Sequence, residues 1–429
     1  MPHAPGCRVL AIMGSGETSP TMVTVHKDLV ARLPPDHRRA VLLETPYAFQ
    51  ENVADVTARA QSYFARSVGL TVTASAAAPP AESDPGQDGG LSALYEADWV
   101  FAGPGSPSYA LDRWRRGPAE HVLRERVRAG AGVTVLASAA AATTGFAALP
   151  VYEIYKAGVA PHWLEGLDLL GLLSLRVAVI PHYDNAEGRT HDTRYCYLGE
   201  RRLQVLEQEL PSDAAIFGVD EHTAAVFDLN AATMTVTGHG TVTVRRSGTS
   251  VVLPSGTVAP LAEVRDLVRR DRGDAPSWAA SKADPGLEEH GAPAVLPDLV
   301  ADAERRFTAA ARCRDAAAMT QEILGLEAAI HDWDADTDED QGTEQARAVL
   351  RGLITRLGRL AQEGAIDPAS RFGPAVEPLL ALRDTLRGQG QYPAADTIRD
   401  ALAATGVDIQ DTPAGTRWVP RPRSATPPS

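Results

Sequence analysis

Residues 133–145, VTVLASAAAATTG, carry one hydroxyl, Ser138, from the end of an apolar run into a row of alanines. A serine becomes a nucleophile where a sharp strand-to-helix turn presents it and small neighbours leave the strained backbone room. Ser138, set between Ala137 and Ala139, meets that steric demand, with alanines in place of glycines. The plainer role open to the same serine is that of a cap on an alanine-rich helix. Nucleophilic chemistry further needs a base to take the hydroxyl proton and a third group to orient the base. His182, closing the run RVAVIPH, is the best-placed base, with His162, His191 and His222 as competitors. Glu153 in LPVYEIY lies between serine and histidine along the chain, while Asp184 and Glu187 sit in the histidine's own loop. Each is a candidate orienting carboxylate, and acyl transfer is the chemistry such a set performs.

The elements needed to bring these groups together are legible around them. From Arg8 to about Leu253, short β-rich runs (CRVLAIM, AVLLETP, LTVTAS, ADWVFAG, VTVLAS, RVAVIPH) alternate with helical stretches such as ENVADVTARAQSYFARSVG and EHVLRERVRAG. That alternation predicts an α/β architecture, a doubly wound and mostly parallel sheet covered on both faces. Ligands bind at the carboxyl ends of strands in such a sheet. The segments MGSGETS, FAGPGSPSYAL, Ser138 and IPHYDNAEG all follow strand-like runs. The glycine-rich GSGE is read equally well as a tight turn or a substrate loop. AAVFDLN, TMTVTGHGTVTVRRSG and TSVVLPSG alternate apolar and polar residues at period two, which predicts antiparallel strands at an edge.

The 429-residue chain is long for one domain and is acidic overall, with 41 Lys and Arg against 55 Asp and Glu and a formal net charge of −14. A generally basic nucleic-acid surface is excluded, though a local basic patch is not. Residues from about Asp271 to Pro297 are rich in Pro, Gly, Ala and charge without periodicity and read as a linker. Beyond it, apolar residues recur at three and four, as at Ile323, Leu326 and Ile330, predicting an all-α bundle. The bundle ends in VDIQDTPAGTRW, with a turn at Pro413-Ala414-Gly415, and the tail VPRPRSATPPS has a disordered composition. Cys7, Cys196 and Cys313 form no metal-binding or disulfide pattern. No run of about 18 apolar residues is present to span a membrane. A cytoplasmic protein with no metal and no cofactor is expected.

The order FAGPGSPSYAL, LASAAA, VYE, IPHYDN, DTRYCYLGERRL and GVDEHTAAV resembles the dipeptidase E and cyanophycinase family of serine peptidases, within the class I glutamine amidotransferase-like fold. The resemblance covers residues 1–258. It implies that Ser138-Ala139-Ala140-Ala141 carries the nucleophile, with Ala140 in place of the elbow glycine, and that His182 is the base and Glu153 the acidic member. The oxyanion donors it implies are Ala139 and the GPGS loop, where Pro104 lacks an N–H and leaves Gly105 to supply one. It further implies a substrate with an aspartyl group, its carboxylate held by Arg194 through the planar guanidinium fork. Gly103, Ser106 and Asn185 would complete the substrate site. The stretch GVDEHTA, with Asp220 and Glu221, resembles a family segment near the site whose acids also suit a strand-holding role.

AADTIRDALAATGVDIQDTPAGTRW resembles the C-terminal end of bacterial cysteinyl-tRNA synthetases, and the similarity extends over residues 298–420, leaving 259–297 as helix and linker and 421–429 as tail. No nucleotide-activating HIGH-type or KMSKS-type motif and no zinc-ligand set accompanies it, so aminoacylation is not expected. The resemblance implies tRNA contact through Arg417, Trp418, Arg421 and Arg423, by phosphate neutralisation and base stacking. A docking or homo-oligomerisation module is the alternative use of the bundle. The joint expectation is a serine hydrolase acting on an amino-acid amide, ester or small peptide, with a tRNA- or partner-binding domain. The competing expectation is a scaffold whose elbow has lost catalysis.

Overall fold

The computed structural model describes residues 6–76, 91–130, 132–186, 191–269, 295–333, 342–362, 368–412 and 415–420. Most of the expected linker, together with Glu187, Pro413, Ala414, Arg421, Arg423 and the tail, lies outside them. The chain divides into two compact units, Met1–Val295 with His331–Thr343, and Leu296–Ile330 with Glu344–Ser429.

In the first unit, the strand Arg8–Met13 is apolar and buried from Val9 onward because both of its faces are covered. Leu10 and Ile12 enter one apolar cluster and Val9, Ala11 and Met13 the other. On one side Arg8–Met13 pairs in parallel with Gly132–Ala137, and the parallel run continues through Trp99–Ala102, Ala40–Leu43 and Val72–Ser75. On the other side Thr223–Asp228, Thr233–Gly238 and Val258–Pro260 extend the sheet antiparallel to eight strands.

The strand Val177–Ile180, expected in that same sheet, belongs to a second one of six strands, where it lies parallel to Ala147–Ala148 and Ala215–Val219. Thr241–Arg246 and Thr249–Pro254 complete one edge of it and Leu164–Glu165 the other. The reason is in the packing. One face of the first sheet is covered by the helices Val23–Ala31 and Val53–Tyr63. The other is covered both by the helix Pro107–Arg116 and by Val177, Val179, Phe217, Val242 and Val244 of the second sheet, in one continuous apolar cluster. The first unit is therefore α/β with a parallel core spread over two mixed sheets.

The second unit is helical, with Leu296–Arg312, Thr343–Gln362, Pro368–Gly388 and Tyr392–Ala404 as long segments. It closes with an antiparallel hairpin of Val407–Thr412 and Gly415–Pro420. Val376, Leu380, Leu402 and Val407 form a small core under Ile398, Ile409 and Trp418. Arg383, buried beside them, forks onto the Asp411 carboxylate at 2.9 and 2.8 Å. Among the described residues no helix is long and apolar enough to cross a membrane.

Candidate active site

Ser138 directly follows the strand Gly132–Ala137 and begins the short helix Ser138–Ala142. Its φ of +46° is left-handed, a conformation that costs a side chain energy and persists only where the surroundings impose it. The alanines that follow are all buried, Ala140 and Ala141 within the main apolar cluster, which is why no larger residue follows the serine. Ser138 Oγ lies 2.9 Å from His182 Nε2. His182 stands two residues past Val177–Ile180 and is also left-handed, with φ +47°.

The other imidazole nitrogen, Nδ1, is 2.9 Å from Glu221 Oε1, which also accepts Asn185 Nδ2–H at 3.0 Å. Glu221 sits in the three-residue connection Asp220–His222, where the chain crosses from the six-stranded sheet to the eight-stranded one. Burial pushes its carboxyl up, but the hydrogen bonds from His182 and Asn185 and the His182 charge outweigh this and hold it below the ordinary carboxylate value. A hydroxyl, an imidazole and a carboxylate are thus joined in one relay, drawn from two sheets and the crossover between them.

This corrects the expectation for Glu153. In the short helix Val151–Tyr155 its Oε1 accepts the hydroxyl of Ser108, from the helix Pro107–Arg116, while the carboxylate bonded to His182 Nδ1 is that of Glu221. The competing histidines are engaged elsewhere or exposed. His162 Nδ1 bonds the Ala160 carbonyl and His191 is exposed. His222 Nδ1 lies 2.9 Å from Thr21 Oγ1, and burial lowers its pKa to about 4.

A cleft of about 360 Å³ opens over Ser138 and His182 and is also lined by Ala139 and Gly105. The Ala139 N–H is in the first helical turn, where no intrahelical acceptor exists. Gly105 has φ +132°, and a Cβ there would lie 2.0 Å from the Pro46 carbonyl oxygen, so only glycine fits. Gly103 and Ser106 serve the architecture of this loop instead of lining the cleft. The Gly103 carbonyl accepts Ala140 N–H at 3.2 Å. Ser106 donates its N–H to Pro46 O and accepts Tyr109 N–H on its hydroxyl, capping the helix Pro107–Arg116.

Arg194, expected to hold a carboxylate of the substrate, is exposed and forks onto Asp192 through Nε and a terminal nitrogen, each at 2.9 Å, outside the residues lining the cleft. Asp192 is only two positions away, and the local turn brings its carboxylate to the guanidinium. The cations that do line the cleft are Arg59 and Lys156, beside Tyr152, Tyr155 and Tyr197, and no carboxylate is among its described lining residues. Tyr155 and Tyr197 stack with centroids 5.1 Å apart.

In the second unit Arg417 is exposed on the terminal hairpin. Trp418, expected to stack on a base, donates its indole N–H to Glu377 at 3.3 Å and packs on the small helical core.

Fold and site together define a two-unit chain: an α/β unit carrying a Ser–His–Glu relay, and a helical unit ending in a β-hairpin. No family model matches it. The C-terminal part is similar in sequence to cysteine–tRNA ligases. It is 36% identical over 87 residues to that of Halorhodospira halophila, covering 19% of each chain. It is 32% identical over 145 residues to that of Clavibacter sepedonicus, covering 32% of this chain and 28% of the relative. The chain spans only 19–28% of the length of these curated relatives. Among solved structures, a peptidase from an acI-B1 Actinobacterium is similar over 60% of this chain and 98% of its own, with 17% identity and a TM-score of 0.47.

Proposed function

We propose that the first unit is a serine hydrolase acting on an amide or ester of an amino acid or small peptide. The observation that carries this reading is the continuous Ser138–His182–Glu221 relay, at 2.9 Å for each link. His182 Nε2 takes the Ser138 proton as Oγ attacks the carbonyl carbon, and Nδ1–H donates to Glu221, which stabilises the imidazolium. The N–H groups of Ala139 and Gly105 are the donors available to the developing oxyanion. The imidazolium then protonates the leaving amine or alcohol, and water, activated by the same imidazole, releases the acyl group. Lys156 and Arg59 are the cleft's own candidates for an anionic group on the substrate. The test is a fluorophosphonate probe on the full chain. Labelling of the wild type that disappears in Ser138→Ala supports the reading; labelling that persists in Ser138→Ala removes that serine from the role.

A second element of the proposal, favoured by the local 32–36% identity to cysteine–tRNA ligases, is that the helical unit contacts tRNA. Of the expected contact arginines, Arg417 lies among the described residues and is exposed to phosphate, and with a chain charge of −14 the binding should be salt-sensitive and modest. A gel shift with total tRNA should weaken in Arg417→Ala; equal binding by that variant takes Arg417 out of the interface.

A further inference from the structure

Three of the four consecutive residues His182 to Asn185 meet Glu221, each in a different way. His182 offers Nδ1 to the Glu221 carboxylate at 2.9 Å, and Asn185 donates Nδ2–H to the same oxygen at 3.0 Å. Between them, Asp184 Oδ1 accepts the Glu221 backbone N–H at 2.7 Å. The turn itself is closed by Asn185 N–H on the His182 carbonyl, which also accepts Cys196 N–H at 3.0 Å. The Cys196 amide comes from a left-handed run, Tyr195, Cys196 and Tyr197, with φ between +55° and +62°. Both ends of the His182–Glu221 contact are therefore fixed by backbone as well as side chain.

We propose that Asp184 is a positioning residue for the hydrolytic centre: it anchors Glu221 by its amide, and its negative charge favours the proton on His182. Glu221 lies in a connection of three residues between sheets, so its side chain is aimed only as well as its own amide is held. The Asp184 carboxylate takes that amide, while burial first and then the like charges of Asp220 and Glu221 push its own pKa up to about 6, so it carries its charge above that pH. The titratable groups around the pair are Asp220, His222 and His239. Asp220 is occupied by Thr241, whose N–H and hydroxyl it accepts at 2.7 Å each. His222, with His239 beside it, is kept neutral by burial near neutral pH. Asp184 is thus the carboxylate whose charge can be changed without breaking the relay, and asparagine can keep its oxygen on the Glu221 amide.

The inference rests on the hydrolase reading for its importance, and its test is separable from it. In full-length protein carrying ¹³Cε1-labelled histidine, the His182 resonance is assigned by its loss in His182→Gln and titrated in wild type, Asp184→Asn and Asp184→Ala. At low ionic strength the His182 midpoint should fall by about 0.3–1 pH unit in Asp184→Asn, and the shift should shrink in 1 M salt, since the lost term is a charge–charge one. The second readout is fluorophosphonate labelling rate at the alkaline plateau. It should stay within about threefold of wild type in Asp184→Asn and fall about tenfold or more in Asp184→Ala, as expected when a positioning contact is lost and the conservative variant restores it. An unchanged His182 midpoint in Asp184→Asn, or full labelling in a folded Asp184→Ala, overturns the proposal. Absence of labelling in the wild type bears on the hydrolase reading alone, because the titration decides this one without a reaction.

Discussion

A carboxamide at position 221 would keep the length of the side chain and lose its charge and its acceptor-only character. Glu221→Gln should therefore slow fluorophosphonate labelling by roughly 10²–10⁴-fold while leaving the fold intact, by analogy with the loss seen when a triad acid becomes an amide. Glu153→Gln should stay within about threefold, because its contact is with Ser108. The comparison of the two rates decides which acid serves His182. Ser138 and His182 were readable from sequence because each stands just past an apolar run, and strand ends are where an α/β sheet gathers its chemistry. Glu221 was visible in GVDEHTA but carried no signal of its partner. Its role depends on a crossover between two sheets, which alternation of strand and helix along the chain does not encode. For Arg194 the local sequence carries a second partner, since Asp192 two residues away takes its fork.

At the scale of elements, the elbow and the loop facing it depend on single backbone positions. Gly105→Ala would place a methyl 2.0 Å from the Pro46 carbonyl oxygen at a φ of +132°. It should displace the loop and reduce labelling at least tenfold, with a thermal midpoint that falls far less than the rate. Comparison of labelling with a melting curve checks this. In the helical unit, Asp411→Asn removes the charge facing the buried Arg383. A strong hydrogen-bonded ion pair of this kind is worth about 1.5–3 kcal/mol, reduced here because the aspartate is half exposed. The expected result is a lower midpoint of helical unfolding followed by circular dichroism. The long helices were legible from three-four periodicity, whereas Pro413 and Ala414 of the expected turn lie outside the described residues. The assignment of Val177–Ile180 to a second sheet was not, because a strand buried on both faces reads the same in either.

For the molecule as a whole, two buried histidines tie the stability of the first unit to pH. His26 is fully buried, ringed by Tyr63, Phe64, Trp99 and Phe101, and burial lowers its pKa to about 4. His222 is depressed similarly. A histidine lowered on folding binds its proton more readily when unfolded, so its contribution is fully present above about pH 6.5 and is lost as pH falls toward 4. Each accounts for roughly 3 kcal/mol over that interval. Asp184, whose carboxyl burial pushes up to about 6, works in the opposite sense and offsets part of this. Denaturant midpoints of the wild type should still be lower at pH 4 than at pH 6.5, and His26→Gln should reduce that difference, while an equal difference in the variant would assign the acid sensitivity elsewhere. The crossover at Asp220–His222 has a mechanical consequence of its own. With the nucleophile mounted on one β layer, the imidazole on the other and the acid on the strap joining them, the centre works as a gauge of how well the two layers keep their alignment. Slight sliding between them disarms it while every helix and strand persists, so on warming, reactivity toward the probe should vanish several degrees before the far-ultraviolet signal begins to fall.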